Sequence, residues 1–231
     1  MSSGHAYTAA GVRPRTSTAP ARRSGAAPAL ALAAGCVAAM AVVWVLAELV
    51  AGIHYRDAVA LHDFTLLDKA PIHGIANRLI HLLEPPLFIL WGIALVAVAL
   101  ARERPRVAVA VAAVMALAPF SAEVLKPLLA HPHSSVGGTY IGPASWPSGH
   151  STAALALVLC AVLVSPARLR PFTAVLGALY AAAVGVSLLI LKWHMPSDVL
   201  GGFLLATFWA ALAVAVLRRS DRLRPGSPPS L

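Results

Sequence analysis

The sequence predicts an all-α protein, a polytopic membrane helix bundle with six transmembrane helices. Hydrophobic residues make up 59% of the 231 positions and charged residues only 12%, at a mean hydropathy of +0.78, where a soluble domain carries about 25% charged residues. The apolar residues gather into six runs near the ~20 residues that a bilayer crossing needs. Most basic residues fall on the connections that such runs leave on one side. Six spans use roughly 120 residues, so the apolar content fills one membrane domain and leaves no separate soluble one.

Residues 1–28 are rich in Ser, Thr, Ala, Pro, Gly and Arg without apolar periodicity, the composition of a disordered basic tail. The membrane domain covers residues 29–217. Its first span runs from Ala29 to Ile53, broken only by Glu48. Residues 54–78 mix polar and apolar side chains and suit short amphipathic helices on a membrane surface. The second span, Leu79 to Ala101, carries His81, Glu84 and Pro85-Pro86 near its start, which puts its apolar core from Leu87 onward. The third, Val107 to Leu125, meets Glu123 and Lys126 at its far end, and a polar loop bearing Gly, Pro and His follows. The fourth starts at Ser148 and stops at Ser165-Pro166, the fifth covers Phe172 to Leu191, and the sixth runs from Val199 to Leu217. Residues 218–231 are polar and Pro-rich, a second disordered tail.

Charge then sets the orientation. With six spans the termini share a side, and that side collects Arg13, Arg15, Arg22, Arg23, Arg102, Arg104, Arg106, Arg168, Arg170, Arg218, Arg219, Arg222 and Arg224, 13 of the 18 basic residues. Basic loops stay in the cytoplasm, so both tails are expected there, in a multi-pass protein of the cell membrane. The net charge of +9 is thereby explained by topology and anionic lipid, and nucleic acid is not an expected partner. Histidine sorts the opposite way: eight of the nine, all but His5, lie on the outer side. Cys36 and Cys160 sit inside apolar runs, which argues against a disulfide framework or a thiolate zinc cage.

Ionisable groups near a bilayer are functional candidates by default, and three clusters stand at the outer ends of spans. The first is Glu123-Val-Leu-Lys126 with His131 and His133; the second is Pro147-Ser148-Gly149-His150; the third is Lys192-Trp193-His194 with Ser197 and Asp198. A Pro-Ser-Gly start leaves free helix amides beside a hydroxyl, a ready anion site. Glycine lets a phosphate oxygen approach the backbone, and His150 is positioned to donate a proton to a leaving oxygen. His194 and Asp198, four apart, share a helix face, where the carboxylate holds one ring N–H and frees the other nitrogen as nucleophile or metal ligand. The plainer readings are an ordinary helix cap, interfacial anchors at Trp193 and His194, and a snorkelling Lys126.

Together, in order and spacing, these clusters resemble the type 2 phosphatidic acid phosphatase superfamily of integral-membrane lipid phosphatases. Its signatures are a lysine followed after six residues by Arg-Pro, then Pro-Ser-Gly-His, then Ser-Arg, five residues, His, three residues and Asp. Lys126, the intact Pro147-Ser148-Gly149-His150, and Ser187 with His194 and Asp198 match. Two positions depart: His133-Ser134 stands for Arg-Pro and Ser187-Leu188 for Ser-Arg. Both arginines with which the family grips phosphate are absent from their usual places. His131, His133 and Lys192 are the candidates to replace that charge, although neither imidazole nor ammonium reproduces the bidentate contact of a guanidinium.

The resemblance implies a lipid phosphatase acting at the outer face on phosphatidate, phosphatidylglycerol phosphate or a polyprenyl phosphate or pyrophosphate. It implies His194 as the nucleophile that becomes a phosphohistidine, Asp198 as the group that orients it, and His150 as the acid that protonates the departing oxygen and then activates water. Lys126, Ser148 and the Gly149 amide would hold the phosphoryl oxygens, where transition-state charge is stabilised. No cofactor and no metal enter this scheme; the partners are the lipid phosphate and membrane lipids. Two alternatives stand beside it: a metallohydrolase with His131, His133, His150, His194 and Asp198 as ligands, and a non-catalytic lipid-phosphate carrier.

Overall fold

Proline opens six of the eight α-helices, since its fixed φ suits a first turn and its missing N–H has no partner to lose there. The structure, a computed structural model, describes residues 25–223. The helices are α1 (Ala27–Trp44), α2 (Ala51–Thr65), α3 (Ala70–His81), α4 (Pro85–Ala101), α5 (Pro105–Leu128), α6 (Gly149–Val164), α7 (Arg170–Ile190) and α8 (Pro196–Leu223). Among the described residues there is no strand, only an isolated bridge between Val136 and Thr139. The all-α expectation holds.

Of the two helices that begin without proline, α2 and α6, the second opens on a true cap: the Ser148 side chain accepts from the Ser151 amide. Helix α6 is the one that matters for packing. It lies at the centre of the packing, against α4, α5, α7 and α8, while α8 also receives α1 and α5. Small residues make these approaches possible, as helix contacts in lipid require. Ala118, Ala122, Ala154, Ala156 and Ala206 are fully buried, whereas Val109, Phe120, Phe172 and Leu176 point outward. A bundle with small residues inside and large apolar residues outside is built for a hydrocarbon surrounding.

Four helical stretches are long and apolar enough to cross a membrane: Ala27–Leu49, Pro105–Leu128, Arg170–Ile190 and Pro196–Asp221. A fifth appears if α3 and α4, bent by 54°, count as one broken span. The expectation was six. The difference lies in α6, whose 16 residues rise only about 24 Å at 1.5 Å each, short of a hydrocarbon core of about 30 Å.

Two boundaries also move. The first span was expected to reach Ile53, but helical winding widens to a π-helical turn at Val45–Leu49 and ends at an extended Val50; the wider turn brings Glu48 into the interior. The polar stretch after it folds into α2 and α3 as expected. The last helix continues past Leu217 to Leu223, so residues 218–223 are helical where a tail was expected. The remainder of both expected tails, residues 1–24 and 224–231, lies outside the described residues.

The ends of the bundle differ in kind. At one, Arg104 donates to the Leu163 carbonyl, Arg170 to the Ser165 carbonyl, and Arg106 pairs with Asp221 at 3.5 Å. At the other lie Glu48, His54, His133, Ser148, His194 and Asp198, most of them buried.

Candidate active site

The site is built where the start of α6 meets the start of α8. The Ser148 amide donates to the Asp198 carbonyl at 2.9 Å, which ties the two helix N-termini together. Gly202, one turn along α8, permits the approach: a methyl group there would come within 2.5 Å of the Ser148 carbonyl and against the Ser151 hydroxyl. Gly201 does the same for the Trp146 indole, whose Nε1 would lie 2.7 Å from an added methyl. The Gly-Gly pair is therefore a packing requirement of the site.

Asp198 has no exposed surface. Its Oδ2 accepts from the Met195 amide at 2.8 Å and faces His194 Nδ1 at 3.2 Å, while Oδ1 has no hydrogen-bond partner. A proton on Nδ1 held by this carboxylate leaves the lone pair of His194 on Nε2, away from Asp198. Ser197, beside it, donates through its amide at 3.2 Å and its hydroxyl at 2.6 Å to the carboxylate of Asp57 on α2. Asp57 thus fastens the polar segment after α1 to the residue next to Asp198. Burial pushes the Asp57 carboxyl above its ordinary value, and the Ser197 hydrogen bonds pull it part of the way back.

Lys126, in the last turn of α5, pairs with Glu123 at 2.7 Å. Its ammonium lies 3.6 Å from where a Gly149 side chain would begin, and Glu123 Oε1 lies at 2.6 Å from the same point, so a side chain there would push the mobile Glu123 carboxylate aside. The first-turn amides of Gly149 and His150 have no acceptor within the helix. His150 packs edge-on against Trp193, ring centroids 5.4 Å apart, and lies within electrostatic reach of His194, Lys126 and Glu123. Lys126, Gly149, His150, His194 and Asp198 are thus brought together. Ser148 is with them; its hydroxyl is buried and caps α6 by accepting from the Ser151 amide.

The three replacement cations fare differently. Lys192 is exposed, takes a left-handed φ of 61° and ends α7 in the manner of a glycine cap; among the described residues its side chain makes no hydrogen bond or ion pair. Leu188, at the position of the second missing arginine, is buried in an apolar cluster with Val184 and Met195. His133 does enter the site, in the fields of Asp198 and His194, but burial pushes its pKa down, which favours a neutral ring at pH 7 over a cation. Its Nε2 meets the Ser145 hydroxyl at 2.8 Å, and its Nδ1 lies 3.5 Å from Glu48. His131 lies half-buried, also 3.5 Å from Glu48.

Three residues of this end escaped the sequence reading: Glu48, His54 and Asp57. The signal was present, because each is an ionisable group at the end of an apolar run. Expecting one unbroken span to Ile53 concealed their shared location.

Beside the polar site lies a cavity of about 820 Å³ lined almost wholly by apolar side chains, between α1, α5 and α8. Leu125, Leu129 and Trp146 line it, next in the chain to Lys126 and to the Pro147-Ser148 turn.

Comparisons with known proteins give a family and a fold. The sequence profile of the PAP2 superfamily matches residues 106–222, which include Lys126, His150, His194 and Asp198. Among solved structures the chain is similar to a transmembrane PAP2 type phosphatidylglycerolphosphate phosphatase from Bacillus subtilis, with a TM-score of 0.65 and 17% identity over 84% of this chain and 98% of the other. No curated protein matches the sequence.

Proposed function

The chain belongs to the PAP2 superfamily, and on that premise we propose that it is a membrane phosphatase that hydrolyses a lipid phosphate or pyrophosphate through a phosphohistidine on His194. The observation that carries the reading is the buried His194–Asp198 pair at 3.2 Å, joined by the Ser148 amide to the α6 N-terminus that carries His150, with Lys126 from the end of α5 set against Gly149. In the first step His194 Nε2 attacks phosphorus while Asp198 stabilises the charge that grows on the ring. His150 gives its proton to the departing lipid oxygen, then takes one from the water that cleaves the P–N bond. Lys126 and the Gly149 and His150 amides supply donors for the phosphoryl oxygens, where positioning and charge do most of the work.

The apolar cavity beside the site supports a substrate with a hydrocarbon tail. Its lining of Val37, Met40, Phe120, Leu205 and Phe208 offers such a tail a place while the head group stays at the polar end. The arginine asymmetry supports six crossings with cytoplasmic termini and the site outside. Impermeant thiol labelling of Ser135→Cys, on a chain lacking Cys36 and Cys160, checks that orientation: label on intact cells is expected.

The function is tested with purified protein and a panel of phosphatidate, phosphatidylglycerol phosphate, and polyprenyl phosphate and pyrophosphate, read by phosphate release. Release from at least one, lost in His194→Ala, is the expected result. Binding of the same lipids with no release from any of them would favour a lipid-phosphate carrier.

A further inference from the structure

One cluster at this end is unused by the reaction just described. Glu48 from the π-helical turn, His54 from α2 and His133 from the loop before α6 each offer one donor atom within 4.8 Å of the others. Glu48 Oε2 is buried and has no hydrogen-bond partner, and its side chain is only 2% exposed. Around it stand His133 Nδ1 at 3.5 Å, His131 Nδ1 at 3.5 Å and His54 Nδ1 at 3.8 Å. These separations are too long for hydrogen bonds. The His133 separation lies close to the edge of about 3.4 Å in a tetrahedron whose ligands stand ~2.0–2.1 Å from a zinc ion.

The rings are already oriented as metal ligands are. His54 Nδ1 meets the Ala47 carbonyl at 2.7 Å, and His133 Nε2 meets the Ser145 hydroxyl at 2.8 Å. Outer contacts of this kind fix a tautomer and direct the other nitrogen inward. For His133 the inward atom is Nδ1, facing Glu48. For His54 it is Nε2, which accepts from the Ser134 amide at 2.7 Å; a cation takes that lone pair in place of the amide, with a shift of the loop. A buried carboxylate oxygen without a partner is costly, and Asp198 lies near enough for its charge to act on Glu48. A cation answers both.

We propose that Glu48, His54 and His133 bind one divalent cation of the zinc class, with an open coordination position toward the His194 pocket. Two histidines, one carboxylate and a vacancy form a donor set typical of zinc sites that bind an exchangeable ligand. That the vacancy takes a phosphoryl oxygen rests on the phosphatase reading; the cation site does not. In that role the cation supplies a fixed positive charge at an end where both family arginines are absent.

The test uses full-length protein without a histidine tag, stripped with chelator and titrated with zinc chloride against a chromophoric competitor. One zinc per chain is expected. Glu48→Gln and His133→Gln should each weaken it by more than roughly 100-fold, beyond what loss of an outer-shell contact costs, and His194→Ala should leave it within a few-fold. Wild-type protein loaded with cobalt(II) should show the intense visible bands of a four-coordinate centre, a readout independent of whether the variants fold. Zinc bound no more tightly by wild type than by Glu48→Gln, or a six-coordinate cobalt spectrum, would overturn the site. Phosphate release by stripped protein that binds no zinc overturns the cation site and leaves the phosphatase; tight zinc binding without release from any lipid does the reverse.

Discussion

The arginine end and the histidine end of the bundle hold charges for opposite purposes. At the first, Arg104 and Arg170 reach carbonyls at helix ends and Arg106 pairs with Asp221 in partial contact with solvent. Long side chains there bury their stems and keep their heads wet. At the second, short side chains sit inside: Asp198 and Ser148 are fully buried and His194 nearly so. Charges that orient a chain need only be on the correct side of the membrane, so their individual geometry is loose. Charges that do chemistry must be desolvated and held, and the fold spends its glycines, its true helix cap and the Asp57–Ser197 contact on that end.

The contrast is broken most severely at His194. His194→Ala is expected to abolish phosphate release and any covalent label, whereas Asp198→Asn should keep the fold and lower turnover by about 10³–10⁴-fold, the cost of removing the carboxylate behind a catalytic imidazole. Brief mixing with labelled lipid phosphate and alkaline quenching should leave acid-labile label on wild type and none on His194→Ala. Label persisting in that variant would move the nucleophile elsewhere and remove the functional difference between the two ends.

The second expected effect is steric. Gly202→Ala drives a methyl into the Ser148 carbonyl and the Ser151 hydroxyl, backbone and capping groups that cannot swing away, so it should cost about 1–3 kcal/mol and reduce turnover as α6 and α8 part. Gly35→Ala, in α1, meets nothing within 4 Å and should stabilise by up to ~1 kcal/mol. Thermal unfolding in detergent compares them, and equal effects would show that the α6–α8 crossing is not especially tight.

These glycines mark where the sequence was legible and where it was not. The all-α class, α5, α7 and α8 followed from apolar length alone, because a bilayer imposes that length. Lys126, Gly149, His150, His194 and Asp198, which the family resemblance picked out, lie close together in the structure. Glu48 did not, since a lone acid in an apolar run carries no sign that a π-helical turn and a break at Val50 will rotate it against His54, His131 and His133. For Lys192 the sequence showed a cation two residues from His194 but not the left-handed backbone that makes it the stop of α7. Ser148 was legible as a helix start, and its side chain does cap α6; that it is fully buried was not legible.

A smaller effect sharpens the comparison through pH. Because burial raises the Asp57 carboxyl above its ordinary 3.8, the folded state favours the protonated form. The stability this group contributes is present below the unfolded value and is lost as pH rises through the raised one. Asp57→Asn should therefore flatten the pH dependence of unfolding above pH 4 and cost little at pH 7, since an amide oxygen still accepts from Ser197. Asp57→Ala removes both hydrogen bonds and should cost about 1.5–3 kcal/mol. An unchanged pH profile in Asp57→Asn would mean that the contact is screened like those of the arginine end.

The smallest effect is expected at Arg106. Its pair with Asp221 is 3.5 Å long and its side chain is about a third exposed, so the attraction competes with water and with the entropy of holding a long side chain; exposed pairs of this kind contribute roughly 0–1 kcal/mol. Arg106→Gln should change the unfolding temperature barely, leave phosphate release unaltered, and leave orientation intact because twelve of the thirteen basic residues on that side remain. Thiol labelling at Ser135→Cys and a melting curve check the three statements together. A large loss of activity in Arg106→Gln would show that α5, which carries Arg106 at its start and Lys126 at its end, transmits strain between the two ends, and their separation into an orienting end and a reacting end would fail.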